Sequence, residues 1–247
     1  MILNEIGKVI TDAEILHRGW ISRQGFIFTG ITYPANIYDA IVIKHPQNVR
    51  CFSPVIKESS HNLEEQIELI NREKIEKAMI IAENIDFIKK CPTLRYLRII
   101  PAENAGDGFD YSPLYEMPEI KSLQCSTVYG AGERFFTELD CERIIGLRDI
   151  HVTSRGYRNY EKISTLKSLE LSGSNELPDL SFLKTMKSLK TFVFNMNVKD
   201  GDLSLCTGLS YVYSERNRKH YNLKNAELPK GQYVRGNEDI EVWRRCE

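Results

Sequence analysis

The sequence predicts an α/β protein: an irregular solenoid of repeats with a parallel concave sheet and an N-terminal α+β cap. Two observations carry this expectation. An apolar pattern L-x-x-L-x-L recurs along the chain. The stretches between its copies also resemble one another, since IDFIKKCPTLRYL and LPDLSFLKTMKSLKTF each hold an apolar pair, a basic turn and then the next strand. One such copy cannot bury its apolar face alone, so copies must stack to make a core.

Taking the chain in order, residues 1–74 do not join the repeat. Phe26, Ile27 and Phe28, then Ile41, Val42 and Ile43, then Val49 and Cys51, form β-rich runs separated by Gly, Pro and Asn, which predicts a small antiparallel sheet. SSHNLEEQIELINREK then predicts a helix, with Ser60 as N-cap, Glu64 and Glu65 near the first turn, and Leu63, Ile67 and Ile70 on one face. A terminal repeat needs its apolar end covered, so this segment is expected to be a cap.

The repeat itself occupies residues 75–215. Leu166, Leu169 and Leu171, followed by Leu189, Phe192 and Phe194, are two copies set 23 residues apart. Backward in phase lie Leu147, Ile150 and Val152; Ile120, Leu123 and Cys125; Leu94, Leu97 and Ile99; and Ile75, Ala78 and Ile80. Forward lie Leu209, Val212 and a polar Ser214. The seven copies are separated by 19, 26, 27, 19, 23 and 20 residues. Residues 216–247 are expected to close the other end, with Leu228, Tyr233, Val234, Ile240, Val242 and Trp243 available to cover it.

Over roughly Ile75 to Ser214 the chain resembles the leucine-rich-repeat family in its short bacterial form. The family's turn asparagine survives as Asn197 and Asn217, while Glu83, Ala102, Val128, Arg155 and Ser174 stand at the other equivalent positions. Insertions around NAGDGFDYSPLYEMP and YGAGERFFTELD lengthen two copies, so irregular curvature is expected. The resemblance implies a non-enzymatic module that binds a protein partner of unknown identity, of which a toxin-masking immunity or inhibitor protein is one specific form.

In a strand, successive side chains alternate between faces. The inward positions are therefore the apolar ones, and the residues between them face a partner. That phase selects Tyr96, Arg98, Gln124, Asp149, His151, Glu170, Tyr211 and Tyr213 as partner-binding residues, together with Lys77, Met79 and Thr153. Tyrosine and arginine are the types that most often anchor interfaces.

Composition narrows the alternatives. The chain has 247 residues, 42% hydrophobic and 27% charged, with a formal net charge of -1. The pI near 6.5 gives no global field for nucleic acid or an anionic membrane. The opening MILNEIGKVITDAEILHRGW mixes Asn4, Glu5, Lys8, Asp12 and Glu14 among its apolar residues, unlike a secretory h-region, and a cytoplasmic location is expected. No stretch approaches the roughly 18 apolar residues of a membrane span.

No catalytic residue, metal site or cofactor is predicted. Cys51, Cys91, Cys125, Cys141, Cys206 and Cys246 form no C-x-x-C pair, and the five histidines form no chelating pair. Gly106 and Gly108, and Gly130 and Gly132, lack phosphate-loop spacing. Two other readings stay open. One is an enzyme with its site in the N-terminal segment, near Trp20 and His45, or in the insertion loops. The other is a nucleic-acid contact through the basic run Arg216, Arg218, Lys219 and His220 within residues 216–220.

Overall fold

A computed structural model of the protein describes residues 13–17, 20–30, 39–49, 58–102, 105, 109–125, 139–152, 157–173 and 176–233. The glycine clusters, Thr153, Cys51, Cys246 and the apolar residues expected at 234–243 lie outside these. The described residues form two compact units, the first running to Ile120 and the second comprising 121–125 and 139 onward.

The first unit starts with strands β1 (Ala13–His17), β2 (Trp20–Arg23), β3 (Phe26–Thr29) and β4 (Ala40–His45), each antiparallel to the one before it. Gln24 and Gly25, both at positive φ, make the tight turn between β2 and β3, the backbone sense that matches strand twist in two-residue hairpins. Helix α1 (Leu63–Glu73) follows, then β5 (Lys77–Ala82) and β6 (Tyr96–Pro101). From β4 onward the pairing turns parallel, with Ile43 opposite Ile80 and Ile80 opposite Ile99.

The N-cap of α1 is Asn62 rather than the expected Ser60. Asn62 Oδ1 accepts the Glu65 N–H at 3.0 Å, while Glu65 Oε2 accepts the Asn62 N–H at 2.8 Å, a reciprocal capping box. Ser60 instead points its hydroxyl at the Gly25 carbonyl, tying the helix entry to the β2–β3 turn. Ile67, Leu69 and Ile70 are buried.

The second unit is built from β7 (Ser122–Cys125), β9 (Asp149–Val152), β11 (Ser168–Leu171), β13 (Thr191–Phe194) and β15 (Tyr211–Ser214), adjacent and parallel in that order. The return segments carry two-residue ladders, β8 (Leu139–Asp140) with β10 (Tyr157–Arg158) and β12 (Glu176–Leu177) with β14 (Asn197–Val198). The register reproduces the predicted phase: Leu123, Ile150, Leu169, Phe192 and Val212 stand in one row and Cys125, Val152, Leu171, Phe194 and Ser214 in the next. All ten are buried. This register makes the second unit a stack of coils with a leucine-rich-repeat architecture.

The returns are single 3₁₀ turns rather than α-helices, and their sequence explains why. Leu180, Leu183, Met186 and Leu189 recur every third residue, and from the second onward each N–H donates to the carbonyl three residues earlier, at 3.0 to 3.3 Å. Ile85, Ile88, Cys91 and Leu94 do the same at 2.8 to 3.1 Å. Further turns run through Tyr111, Leu114 and Met117, through Tyr160, Ile163 and Leu166, and through Leu203, Cys206 and Leu209. A 3₁₀ turn eclipses residues i and i+3, so a period of three puts every apolar side chain on one edge. That edge faces the strands and completes the core.

Candidate functional site

The face of the second unit opposite its core carries two rows in register. Ser122, Asp149, Ser168, Thr191 and Tyr211 form the first, and Gln124, His151, Glu170, Val193 and Tyr213 the second. Six of the eight predicted partner residues thus share one sheet face. Parallel strands lie about 4.8 Å apart, so each side chain meets its counterparts on the coils either side.

Those meetings are specific. Ser122 Oγ donates to Asp149 Oδ2 at 2.9 Å. Gln124 Nε2 lies 3.0 Å from His151 Nδ1, and because an amide nitrogen only donates, Nδ1 accepts and the ring proton sits on Nε2. His151 Nε2 faces Ser172 Oγ at 3.0 Å and Glu170 Oε1 at 3.4 Å. A nucleophile relay would set the carboxylate and the hydroxyl on opposite ring nitrogens. Here both meet Nε2 and an amide occupies Nδ1, so the network fixes the ring as a surface element.

At the other end of the rows, the Lys230 ammonium lies 5.7 Å from the Tyr211 ring centre and 5.0 Å from that of Tyr213, within cation–π range. Its own hydrogen bonds run to the Val212 carbonyl and Asn225 Oδ1, both at 3.0 Å. Tyr211 is only 5% exposed and packs edge-on against Tyr233, whereas Tyr213 remains half-buried. Lys230 was not singled out from sequence, and Tyr233 was expected only as a residue covering the end of the repeat. Both fall after the last repeat, where no phase assigns a face.

Tyr96 and Arg98 lie in the first unit, on β6. Tyr96 is 5% exposed beneath the Lys77 ammonium, 5.6 Å from its ring, and Lys77 pairs with Asp39. Met79, placed by the phase on the partner side, is buried with Ile27, Val42, Val49, Ile81 and Ala102, with Trp20 packed against them. In this unit both sheet faces are covered, because β2 to β4 bring apolar residues to the second face as well. Trp20 is thereby accounted for by packing.

The turn asparagines behave unevenly. Asn217 Oδ1 accepts the Asn225 N–H at 2.7 Å, whereas Asn197 Nδ2 donates to Glu176 Oε1 at 2.7 Å and thus links two side chains. Backbone capping falls also to Asn222, which accepts from Leu203 N–H, and to Asn225, which accepts from Ser214 N–H. Within the 216–220 run, His220 Nε2 lies 2.9 Å from the Val198 carbonyl.

Cys91, Cys125, Cys141 and Cys206 are buried thiols outside any disulfide. Burial pushes the Cys91 thiol up to about 11 and that of Cys206 to about 12, and Cys141 higher still. Such thiols are inert hydrophobes. Among the described residues no cluster of His, Cys, Asp and Glu could hold a metal ion, and no helix is long and apolar enough to cross a membrane.

No known family's sequence profile matches the chain, and no curated protein matches it either. Among solved structures, the chain is similar to an internalin from Listeria monocytogenes at 19% identity and a TM-score of 0.39, over 60% of this chain and 50% of that one. The chain thus spans half of that protein's solved length. The leucine-rich-repeat architecture assigned here rests on the strand register and the turn spine of the chain itself.

Proposed function

We propose that this chain is a non-enzymatic protein-binding module, and that the two-row sheet face of its second unit is the contact surface. The supporting observation is the register that collects Gln124, Asp149, His151, Glu170, Tyr211 and Tyr213 on one face. The Ser122–Asp149, Gln124–His151 and His151–Glu170 contacts, with Lys230 against both tyrosine rings, hold these side chains in place before any partner arrives, which lowers the entropy cost of binding. Tyr96 and Arg98 are proposed as partner contacts of the first unit, with Arg98 the better placed because Tyr96 is buried. An inhibitor that masks a toxin, working in the cytoplasm, is the specific form we favour.

Co-purification of the tagged chain from native lysate, with mass spectrometry of what it retains, tests the reading. His151→Ala with Tyr213→Ala should lose the partner while the circular dichroism spectrum stays that of the parent. A captured protein that is toxic alone and harmless with this chain supports the inhibitor form. Retention undiminished by the double variant, or by a further Arg98→Ala, would sink the assignment of the face.

A further inference from the structure

The chain that leaves β15 forms a loop whose backbone is pinned throughout. Its residues after Glu215, from Arg216 to Lys224, include four cations, Arg216, Arg218, Lys219 and Lys224, and no acid. Lys224 is turned inward: its ammonium donates to the carbonyls of Arg218, Lys219 and Tyr221 at 3.1, 3.2 and 2.8 Å. The Tyr221 N–H donates to the Arg218 carbonyl, Asn217 Oδ1 accepts the Asn225 N–H, and Ser214 Oγ donates to the Arg216 carbonyl. The carbonyls of the loop are thus satisfied from within, while Arg216 and Lys219 stand exposed and Arg218 half-buried.

These last three cations form no ion pair among the described residues, and Arg218 Nε is shut off from water without an acceptor, which costs free energy. The acids around the loop are held by other donors. Glu215 Oε2 accepts Asn195 Nδ2 at 3.2 Å, Glu227 Oε2 accepts the Lys224 N–H at 2.7 Å, and Asp202 Oδ1 accepts Asn222 Nδ2 at 2.7 Å. Elsewhere in this unit cations do meet carboxylates, as Lys162 meets Glu142 at 3.5 Å and Arg158 meets Asp140 at 3.7 Å. The loop therefore keeps like charges together on a fixed backbone, an arrangement that an anionic ligand would relieve with little ordering cost.

We infer that the 216–219 loop docks a short acidic segment of a protein partner. The inference rests on the proposed protein-binding reading and adds the partner's chemistry to it, because the loop begins two residues beyond Ser214, at the end of the strand that carries Tyr213. Four residues extend over about 13 Å, and same-side groups of an extended partner strand recur about every 7 Å, so the loop has room for two or three carboxylates. A guanidinium takes a carboxylate through two parallel N–H groups. A polynucleotide fits less well. Glu215 and Glu227 are exposed beside the loop and would face a continuous run of phosphates, and Tyr221, the ring next to it, is 3% exposed and offers no stacking surface.

Amide NMR spectra of the full chain, titrated with a tetraglutamate peptide at low salt, test this residue by residue. Saturable shifts should centre on the amides of 216–221. Arg216→Gln with Lys219→Gln, both exposed, should weaken binding about fivefold, as two exposed ion pairs of ordinary strength imply. Lys184→Gln with Lys187→Gln removes equal charge from a 3₁₀ turn and should bind as the parent does. A tetrauridylate probe forms the second arm and should bind more weakly than the peptide. No saturable shift in 216–221, equal weakening in both double variants, or tetrauridylate binding as tight as the peptide's would overturn the inference. The two readings fail separately. If the peptide leaves 216–221 unmoved while the sheet-face variant loses the captured partner, only the inference falls. If the peptide binds the loop and the sheet-face variant keeps the partner, only the proposed face falls.

Discussion

Raising the pH should unfold this protein through its buried thiols. Cys91, Cys141 and Cys206 occupy the 3₁₀ turns, and all three are fully buried. An ordinary thiol titrates at 9.0, while in the folded chain Cys91 is raised to about 11, Cys206 to about 12 and Cys141 further. Desolvation is the first cause in each, because a thiolate there would lie among apolar side chains. Below pH 9 both states keep their protons and the contribution is fully present. Above it the unfolded chain releases protons that the folded chain holds, so stability falls as pH rises toward the folded values. Each thiol costs about 1.4 kcal/mol per pH unit in that window. Because that slope is only partial close to pH 9 and close to the folded value of Cys91, the three together cost about 6 kcal/mol over the two units up to pH 11, comparable with the whole stability of a typical domain. Urea unfolding followed by circular dichroism at several pH values measures the slope. Cys91→Ala, Cys141→Ala and Cys206→Ala combined should be less stable at neutral pH and should lose most of the alkaline slope. Parallel slopes in parent and variant would refute the argument, since the remaining titrating groups are the same in both.

Leu166 is fully buried at the join of turn and strand, so Leu166→Ala should cost about 3 kcal/mol in urea unfolding. Removing the capping box with Asn62→Ala should cost about 1 kcal/mol, read as a lower Tm. Gly201 sits at φ +72, and a Cβ there would lie 2.5 Å from the His220 carbonyl oxygen. Gly201→Ala should therefore destabilise by more than about 1 kcal/mol, whereas Gly208→Ala, with open space around it, should not.

The strand positions were legible because burial enforces them. A one-residue slip would turn Leu169, Phe192 and Val212 to solvent, so the apolar spacing had to survive at L-x-x-L-x-L. The turn conformation was not read, although the period of three in Leu180, Leu183, Met186 and Leu189 stands in the sequence, because a search for helical or strand periods passes over it. Burial of Met79 and Tyr96 was not legible. Alternation assigns a face, but covering that face depends on β2 to β4 and Val49, which lie far away in sequence. The same limit applies to Lys230, whose place against Tyr211 and Tyr213 is set by the path of the chain after the last strand. The capping residue was missed because Ser60 and Asn62 both suit an N-cap. Only the reciprocal bond with Glu65 separates them, and that pairing was present in the sequence as N-x-x-E.

Ser214 shows how the stack stops. Its row runs Cys125, Val152, Leu171 and Phe194 before it, and a further coil would need an apolar residue where the serine stands. Ser214 is 3% exposed, yet its Oγ donates to the Arg216 carbonyl and its N–H to Asn225 Oδ1, so its hydroxyl and its N–H are both taken. The open edge of β15 is taken as well. Val212 donates to the Pro229 carbonyl, Gly231 donates to that of Ser210, and Tyr211 bridges Lys230. Tyr221 packs towards Phe194, and its hydroxyl accepts the Val198 N–H. An exposed strand edge invites pairing with a second chain, and residues 216–233 remove that invitation at β15. What the segment leaves available is the face rather than the edge. Strand addition at β15 is therefore closed to a second chain, because its edge groups already pair with residues 229–231.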